Sequence, residues 1–569
     1  MTAHCESIIA HRRAEHSIKS KMGVAALLAL AGFSLRAAVQ GDVGPQTIPV
    51  DLSQYSNVRY VDVQRGDDVT GDGSSGKPWA SLPHAIENVG PVVPGNRVAL
   101  LVSTGRYAGP TLLLKSRIDL YGGFASPGGA REVGKFRTVL DGGEAQRIAF
   151  GADDSRVDGF HFVGGRVRGK GAALFCDGVS PTITNCTFTL NRTLMPQPWN
   201  PPLLHETAHD GGAIFATNGA APQIERCYFY DNTTECGRGA AIAADRGAAP
   251  RIVASVFANN RSGLDDPFRS SDGGAVSLFD SSAGEITGCI FSANIALTRN
   301  DGGGVFVALW SSPRITDTVF VANDAGDDAG GLFIGGQEHR YGVPLDPMPP
   351  AGKFNVLIER NIFVGNTNST KNSGAMRVTM ESRATFRDNI VTENHGGFYL
   401  QRSEILAERN TIWQDWQFVE DKPTLAPSRL TGNILKGPLA DPIDARVILS
   451  QNMMDAATGD PAPLAVRDVF EQDGLSGKIS ETRYDAATLC TIVTLENRLP
   501  ENGRRLAGRL FGLQRGRRAQ WRVIKSATDR EVTVWGRLEP ETIAADTFTV
   551  LRTFTLKADA PPGIGARIK

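Results

Sequence analysis

Seven times between Phe188 and Asn394 the chain repeats an apolar step that ends in Asn: FTLN (188–191), FYDN (229–232), FANN (257–260), FSAN (291–294), FVAN (320–323), FVGN (363–366) and VTEN (391–394). The same stretch repeats a step of small residues: DGGAIF from 210, RGAAIA from 238, DGGAVS from 272, DGGGVF from 301, AGGLFI from 329 and HGGFYL from 395. Neighbouring Asn residues of the first step are 28 to 43 positions apart. One structural unit is therefore copied many times.

A repeat of this length indicates a solenoid. The runs between the Gly, Asn and Asp turn signals are too short for helices of about ten residues, so each run is expected to be a strand of about three to six residues. Two or three such strands per repeat predict a parallel coil whose turns hydrogen-bond to one another at roughly 4.8 Å. Equivalent residues of successive repeats should then stack in columns.

The two phrases resemble those of the polymorphic outer-membrane proteins of chlamydiae. From Tyr60 to Asn433 the wider pattern resembles the right-handed parallel β-helix superfamily, which contains pectate lyases, other polysaccharide lyases and several glycoside hydrolases. The resemblance implies an all-β fold, a right-handed parallel β-helix with a short N-terminal capping helix. The runs of residues after Leu489 add the prediction of a small C-terminal antiparallel β module. The resemblance also implies a carbohydrate-active, pectate lyase-like repeat protein.

The expected domain organisation has five parts: 1–38 signal peptide, 39–58 irregular lead-in, 59–440 parallel β-helix, 441–488 transition, and 489–569 small β module with a closing strand. The capping helix should carry Trp79, Leu82 and Ile86 on one face and cover the open end of the solenoid. In the last part, short apolar runs alternate with turn signals, which predicts antiparallel strands.

The first forty residues have the order of a secretory signal. Lys19 and Lys21 precede an apolar run, Gly23–Leu35, which small residues follow at Ala37 and Ala38. This predicts export to the periplasm, the cell surface or the exterior, with no stable membrane span after cleavage, because the run is short for a bilayer. A single anchoring helix is the alternative, and Met22 is an alternative start.

The charge balance argues against one class of partner. The chain has 60 Lys and Arg residues against 61 Asp and Glu residues. A protein that binds nucleic acid over its whole surface would carry a clear basic excess. We therefore expect no nucleic-acid partner.

Three cysteines, Cys186, Cys227 and Cys289, stand two positions before the Phe of their repeats. Cys186 and Cys227 belong to adjacent coils, at a spacing compatible with a disulfide. The alternative is a buried column of small polar residues with free thiols. Asn residues hold this place in later repeats, at 361, 389 and 410, and predict an internal ladder of stacked amides.

The residue before each small-residue step should form a column that carries charge: Lys170, Asp210, Arg238, Asp272, Asp301, Ala329, Asn372 and His395. An Asp before Gly-Gly suits a turn, because its side chain accepts backbone N–H bonds. The functional alternative makes five members catalytic candidates: Lys170, Asp210, Arg238, Asp272 and Asp301. Arg238 between Asp210 and Asp272 should keep both carboxylates ionised, whereas Asp272 and Asp301 are direct neighbours, so one pKa should rise.

Three chemistries fit this column. A raised carboxyl beside an ionised one, about one coil apart, is near the separation used by retaining glycosidases. A Ca²⁺ held by Asp272, Asp301 and Asp265 is equally consistent. The resemblance to polysaccharide lyases implies a basic residue, for which Lys170 and Arg238 are the column members available. No diagnostic lyase motif, zinc motif or phosphate loop is present.

Two insertions leave the same turn of the solenoid, at 192–209 and 261–271. Long loops on a rigid solenoid are where binding usually resides. The candidate substrate-binding residues come from these loops and from the acidic pair beside Ala329: Trp199, His205, Glu206, Asp265, Asp266, Arg269, Asp327 and Asp328.

Two functions compete at this point. In the first, an exported β-helix protein binds a polysaccharide along a solenoid groove and cleaves it by lyase or hydrolase chemistry. In the second, which the resemblance to the chlamydial proteins implies, the repeat is a non-catalytic, adhesin-like rod for surface display.

Overall fold

The computed structural model describes residues 43–197, 209–264, 271–336, 354–370, 372–413, 416–419, 426–435, 447–454, 470–471, 474–499, 506–515, 518–538, 547–551 and 555–556. These residues form a parallel solenoid followed by a small closed barrel. A complete coil, such as the one at 156–177, passes in turn through four sheets, named here sheets A, B, C and D in that order. The sequence predicts two or three strands per repeat, whereas a complete coil has four. The additional strand is the two-residue strand of sheet C.

Sheets A and B run almost the whole length of the solenoid. The described strands of sheet A are Asn57–Val61, Val98–Ser103, Ile118–Phe124, Arg156–Asp158, Thr182–Thr184, Gln223–Glu225, Arg251–Val253, Glu285–Thr287, Arg314–Thr316, Val356–Glu359, Arg383–Arg387, Glu404–Glu408, Ser428–Thr431 and Val447–Ser450. Those of sheet B are Gly105–Ala108, Thr138–Asp141, Phe160–Val163, Thr187–Thr189, Tyr228–Tyr230, Val256–Ala258, Ile290–Ser292, Val319–Val321, Ile362–Val364, Ile390–Thr392, Thr411–Trp413, Ile434–Leu435 and Met453–Met454.

Sheets C and D complete each coil. The described strands of sheet C are Arg166–Val167, Arg192–Thr193, Thr233–Thr234, Arg261–Ser262, Ile295–Ala296, Asp324–Ala325 and Thr367–Asn368. Those of sheet D are Leu112–Leu113, Ala149–Phe150, Leu174–Asp177, Ile214–Thr217, Ile242–Ala244, Val276–Leu278, Val305–Ala308, Leu332–Gly335, Met376–Thr379, Phe398–Gln401 and Trp416–Val419.

Equivalent residues stack inside the solenoid, as the repeat predicts. The Phe of the apolar step forms a column of rings whose successive centroids are 4.6 to 5.0 Å apart, through Phe162, Phe188, Phe229, Phe257, Phe291, Phe320 and Phe363. The Asn that ends the step forms a ladder in which each Nδ2 donates to the next Oδ1 at 2.7 to 3.0 Å, through Asn191, Asn232, Asn260, Asn294, Asn323, Asn366 and Asn394. The buried turns are therefore satisfied by side-chain amides.

A second amide ladder confirms the prediction for the column that contains the cysteines. Its Asn residues donate from coil to coil at 2.9 to 3.0 Å, through Asn361, Asn389, Asn410, Asn433 and Asn452. Cys186, Cys227 and Cys289 are buried free thiols in this structure. The column is therefore a structural device in which small polar side chains meet the turn backbone.

The N-terminal end of the solenoid packs against a helix at Leu82–Asn88, which a 3-10 turn at Leu52–Gln54 precedes. Leu82, Ala85 and Ile86 are buried in the main apolar core. Trp79 joins the same core from the residues before the helix. This is the capping helix that the resemblance implied.

The C-terminal unit is a closed antiparallel barrel with strands in the order Gly474–Asp485, Cys490–Leu495, Glu531–Trp535, Arg518–Ala527, Leu510–Arg515 and Thr547–Leu551. A short pair, Phe470–Glu471 with Thr555–Leu556, lies beside it in sequence. The first barrel strand lies in the segment 441–488 assigned to a transition, because its alternating Leu475, Gly477 and Ile479 give a weaker strand signal than the later runs.

The barrel docks on the outer face of sheet B. The outward residues of five successive coils there are apolar: Tyr228, Val256, Ile290, Val319 and Ile362. They form one cluster with the barrel residues Cys490, Leu510, Trp521, Val523 and Trp535. The chain thereby covers one side of the solenoid with its own C-terminal unit.

Candidate functional site

The predicted charged column exists and lies at the entrance to sheet D. The backbone register places Lys170, Asp210, Arg238, Asp272 and Asp301 in successive coils, because each following Gly donates its N–H to the carbonyl of the next column residue, as Gly171 does to Asp210 at 3.0 Å. These Gly residues have positive φ values of 61 to 79°, which explains why a small residue follows the column in each repeat.

Ala329 is not a member of the column, contrary to the prediction. Gly302 donates its N–H to the carbonyl of Asp328 at 2.9 Å, so Asp328 is the neighbour of Asp301. Ala329 instead occupies the place of the left-handed glycine, with a φ of 57°. An Ala in the glycine position displaced the expected register by one residue. The column therefore continues through Asp328 and Asn372.

Two cations hold the N-terminal part of the column together. Arg238 contacts Asp210 through its Nε at 3.2 Å and its Nη2 at 2.9 Å, and its backbone N–H donates to the same carboxylate at 2.7 Å. Lys170 lies 3.7 Å from Asp210 and 3.4 Å from Asp245. Both cations are thus engaged by carboxylates of the protein.

Asp210 is held ionised by these contacts. Burial alone would raise its pKa, but the charges of Arg238 and Lys170 and the hydrogen bonds from Arg238 outweigh that cost and lower the pKa to about 2. The side chain is only 3% exposed. Asp210 therefore acts as a fixed negative charge in this part of the column.

Farther along, three carboxyls are linked by backbone hydrogen bonds. The N–H of Asp301 donates to Oδ1 of Asp272 at 2.8 Å, and the N–H of Asp328 donates to Oδ1 of Asp301 at 2.9 Å. The side chains of Asp272 and Asp301 thus each satisfy the turn of the next coil, as the turn interpretation predicts. The second carboxyl oxygen of each residue is not needed for this bond.

Asp301 differs from Asp210 in its electrostatic surroundings. Burial, the negative charge of Asp272 and the negative charges of Asp328 and Asp327 raise its pKa well above the usual range. The hydrogen bond from Asp328 opposes this shift but does not reverse it. Burial and the surrounding carboxyls therefore favour the protonated form of Asp301 more than they would for a solvent-exposed Asp.

Access to the column changes along its length. Asp210 and Asp272 are buried, at 2% and 4% exposed, whereas Asp301, Asp327 and Asp328 are half-buried. The described part of the column therefore does not lie along one continuous open groove. Solvent reaches the column at Asp301 and its neighbours.

Among the described residues, one group of carboxylates beside Asp301 could hold a cation. One carboxylate oxygen from each of Asp301, Asp327 and Asp328 lies within 4.8 Å of the other two. The expected set was Asp272, Asp301 and Asp265, and Asp265 lies outside the described residues. Arg377 forms an ion pair with Asp328 and so already supplies one positive charge at this point.

Aromatic rings flank the cations on the outer face of sheet D. Lys170 lies 4.6 Å from the centre of the Phe215 ring, Arg238 lies 3.9 Å from that of Phe279, and Arg377 lies 4.6 Å from that of Tyr399. Contacts of this kind orient a cation without neutralising it. The face beside the column is thus amphipathic rather than purely polar.

The family model described as a right-handed beta helix region matches residues 153–337, which include the column from Lys170 to Asp328. The solenoid is a right-handed parallel β-helix. The resemblance drawn from the repeated phrases is confirmed at the level of the fold.

Solved structures similar to this β-helix include tailspike proteins of E. coli bacteriophage HK620. A double mutant is 12% identical over 87% of this chain and 94% of its own, with a TM-score of 0.31. The tailspike in complex with a pentasaccharide is 11% identical over 80% of this chain and 81% of its own, with a TM-score of 0.25. A likeness at these values extends no further than the strand architecture. No curated protein matches the chain.

Six of the substrate-binding residues that the sequence predicts for this chain lie outside the described residues: Trp199, His205, Glu206, Asp265, Asp266 and Arg269. Their proposed roles stay predictions. Asp327 and Asp328 are described, and both lie beside Asp301. Within the part of the chain that the structure describes, no helix is long and apolar enough to cross a bilayer.

Two charged residues at the column were missed by the sequence analysis. Asp245, which contacts Lys170, directly follows the strand Ile242–Ala244, and Arg377 lies within the strand Met376–Thr379. Arg377 lies in the strand that follows the column residue Asn372, and Asp245 lies just after the strand that follows the column residue Arg238. At one outward position of sheet D, successive coils carry Phe306, Phe333 and then Arg377. A comparison of the outward residues of these strands in the sequence would therefore have found Arg377.

Proposed function

We propose that this protein is an exported β-helix protein that binds a polysaccharide at the entrance to sheet D and cleaves it by glycoside hydrolysis. The observation that carries the proposal is the position of Asp301 between Asp272 and Asp328, to which backbone hydrogen bonds link it and whose negative charges help to raise its pKa. A carboxyl that keeps its proton beside an ionised one is the pairing that glycoside hydrolysis requires.

Hydrolysis is favoured over lyase chemistry by the contacts of the two basic candidates. A lyase base must be available to take a proton from the sugar. Arg238 is bound to Asp210 through both its side chain and its backbone, and Lys170 is shared between Asp210 and Asp245. Neither group is free for that task, so the acidic part of the column is the better reaction centre.

The two carboxyls of the reaction are assigned by access. Asp328 lies one coil from Asp301, at roughly 4.8 Å along the stack, near the separation of about 5–5.5 Å in retaining enzymes. Its side chain is 14% exposed, whereas Asp272 is buried. We assign Asp301 as the acid that protonates the leaving oxygen and Asp328 as the carboxylate that attacks the sugar. Asp272 then acts as the buried charge that keeps the proton on Asp301.

The remaining surfaces support a site on this side of the molecule. The barrel covers the outer face of sheet B. The lead-in residues Val50 and Tyr55 pack against the first strands of sheet A. Sheet D lies between sheets C and A along the coil, away from the barrel. A linear polymer can therefore approach the column without displacing either cover.

A Ca²⁺ ion would fit part of this site. Asp301, Asp327 and Asp328 supply oxygen ligands only, which is the donor set that Ca²⁺ prefers. When bound there, it would supply positive charge for a sugar carboxylate. Arg377 already provides such a charge at Asp328, so we propose that the ion is dispensable for cleavage.

One observation favours the second candidate function, a non-catalytic rod for surface display. The Oδ1 atoms of Asp272 and Asp301 each cap a backbone N–H of the next coil, which is a sufficient structural reason for both residues. In that case, no polymer is cleaved and the column only stabilises turns.

The deciding experiment is a panel of linear polysaccharides assayed for new reducing ends and for unsaturated products, with Ca²⁺ and with a chelator. We expect reducing ends without unsaturated products, and no loss of rate in the chelator. Asp301→Asn and Asp328→Asn should each abolish cleavage while melting within a few degrees of the wild type, because Asn at 301 keeps an oxygen for the cap and Asn at 328 keeps an oxygen that Arg377 can bond. Arg106→Gln, at an exposed ion pair on sheet B, is the matched control.

Three results would overturn parts of this proposal. Unsaturated products would replace hydrolysis by lyase chemistry. Full activity in Asp301→Asn would remove the acid from the mechanism. The absence of cleavage of every polymer, together with equal polymer binding by the wild type and both variants, would leave the display rod as the function.

A further inference from the structure

One cation on the outer face of sheet D has no carboxylate partner among the described residues. Arg147 precedes the strand Ala149–Phe150, and its side chain is half-buried. Three other cations that lie over aromatic rings on this face, Lys170, Arg238 and Arg377, are each ion-paired with an Asp. Burial lowers the pKa of the Arg147 guanidinium, and no ion pair with a described residue opposes that shift. The described part of the protein thus leaves the positive charge of Arg147 uncompensated.

The guanidinium of Arg147 is held in one orientation by its neighbours. Nε donates to the carbonyl of Gly171 at 3.0 Å, and Nη2 donates to the carbonyl of Lys170 at 2.7 Å. Cζ lies 4.5 Å from the centre of the Phe150 ring and 5.0 Å from that of the Phe175 ring. The carbonyls fix one edge of the planar group and the rings pack against it, so the group is ordered before any ligand binds.

Part of the hydrogen-bonding capacity of Arg147 is left for a ligand. A guanidinium has five N–H donors in a planar fork, and the two backbone carbonyls use two of them. The other three, which include both N–H groups of Nη1, have no acceptor among the described residues. An oxyanion, such as a carboxylate or a sulfate group, accepts parallel bonds from a fork of this kind and supplies the missing negative charge. A neutral sugar hydroxyl would leave the charge uncompensated.

Arg147 lies far from the proposed reaction centre, on the same edge of sheet D. The strands that follow Arg147 and Asp301 are five places apart in the order of that sheet, which is roughly 24 Å at about 4.8 Å per coil. Asp210 and Asp272, which are buried, belong to coils between them. Arg147 is therefore a separate point of contact rather than a part of the site at Asp301.

We propose that Arg147 is an anchoring site that binds a carboxylate or sulfate group of an acidic polysaccharide. The inference rests on the proposed function for the kind of polymer, because a guanidinium alone does not distinguish one polyanion from another, and it narrows that function to polymers that carry negative charge. The site holds the polymer away from Asp301 and takes no part in bond cleavage. Loss of Arg147 should therefore weaken binding of the polymer without changing the chemistry at Asp301.

The test measures binding by the full chain that carries Asp301→Asn, so that the polymer stays intact. Two matched pairs of probes separate the charge from the sugar: dextran sulfate with dextran, and polygalacturonate with its methyl ester. Isothermal titration calorimetry at about 0.15 M salt limits general attraction between exposed charges. In this background, Arg147→Gln is compared with Arg106→Gln, which removes one charge from an exposed ion pair on sheet B.

We expect at least one charged polymer to bind at least about ten-fold more tightly than its neutral counterpart, and Arg147→Gln to lower that affinity by at least about ten-fold. Arg106→Gln should change it by less than about two-fold. Arg147→Lys keeps a cation beside Phe150 and Phe175 but loses the planar fork, so it should keep the fold and recover only part of the affinity. The pair of probes that shows the effect identifies the bound group as sulfate or carboxylate.

Three outcomes would overturn the proposal. The first is equal affinity for the charged and neutral members of both pairs, or no binding of any of the four polymers. The second is binding by both Arg147 variants as tight as that of the Arg106→Gln control. The third is an equal loss in that control, which would show general electrostatic attraction. Cleavage is not measured here, so Arg147-dependent binding by a chain that cleaves no polymer would contradict the proposed hydrolysis alone.

Discussion

The backbone N–H of Asp301 donates a 2.8 Å hydrogen bond to Oδ1 of Asp272 in the preceding coil. The bond gives Asp272 a structural task, while the negative charge of the same carboxylate helps to raise the pKa of Asp301. Hydrogen bonding and charge are therefore separable at this residue, because Asn keeps the acceptor oxygen and loses the charge. Several expectations depend on that separation.

Replacement of Asp272 should distinguish its two tasks. Asp272→Ala removes the acceptor for the Asp301 N–H and should lower the free energy of unfolding by about 1–2 kcal/mol. Asp272→Asn keeps the acceptor and should cost much less. Chemical denaturation of both variants at pH 7 measures the difference. Equal losses in the two variants would show that the charge, not the cap, provides the stability.

Asp301 should make the stability depend on pH. Its pKa is raised in the folded state, so the folded state binds the proton more tightly than the unfolded chain, whose Asp titrates near about 3.9. The resulting contribution is present at low pH and is lost as pH rises through the folded-state pKa. Asn at position 301 does not titrate, so Asp301→Asn should not show this loss of stability as pH rises.

The difference in denaturation midpoint between Asp301→Asn and the wild type should therefore be small at pH 4 and should grow in favour of the variant toward pH 8. Asp210 contributes with the opposite sign, because its folded-state pKa of about 2 makes its stabilisation disappear only as pH falls below about 4. A variant curve that runs parallel to the wild-type curve would contradict the raised pKa of Asp301.

Removal of Arg238 should be costly. Arg238 is 5% exposed and contacts the buried Asp210, so Arg238→Met leaves that carboxylate with Lys170, at 3.7 Å, as its remaining cation. Breaking a buried pair in this way costs about 3–5 kcal/mol. Arg106→Met, at an ion pair whose Arg side chain is 63% exposed, should cost less than about 1 kcal/mol. Denaturant titration measures both, and comparable losses would contradict the buried-pair assignment.

Stacking was predictable because the repeat itself encodes it. The spacing of the phrases sufficed to place Asp210, Arg238, Asp272 and Asp301 in adjacent coils. The predicted column was wrong by one residue at Ala329. Ala replaces the left-handed glycine that marks the turn in the other repeats, so the sequence gives no sign that Asp328 is the column residue. A repeat phrase carries the position of a turn, whereas the identity of the residue in it can vary.

Contacts between distant segments were not predictable. Arg377 reaches Asp328 from another coil, and its place in the strand gives no sign of that partner. The barrel docks through apolar side chains such as Tyr228 and Val256, which look like ordinary strand residues in the sequence. A single sequence shows which faces are apolar, but not what covers them.

The amide ladder of the cysteine column was predicted from sequence and can be tested at Asn389. Its Nδ2 donates to Oδ1 of Asn410 and to the carbonyl of Ile358, both at 2.9 Å, and its Oδ1 accepts two bonds from Asn361 at 2.8 and 3.0 Å. The side chain is fully buried. Asn389→Ala therefore leaves several polar groups without partners in the core.

Each buried group left without a partner costs about 1–3 kcal/mol, so Asn389→Ala should lower the free energy of unfolding by at least about 3 kcal/mol. Asn88→Ala, at an exposed residue of the capping helix, is the control and should change it by less than about 0.5 kcal/mol. Asn389→Ser should recover part of the loss, because Ser255 holds the same column place and accepts the N–H of Cys227 through its hydroxyl. A Ser variant no better than the Ala variant would show that the column needs the full amide, and a mild Ala variant would show that coil stacking alone carries the stability.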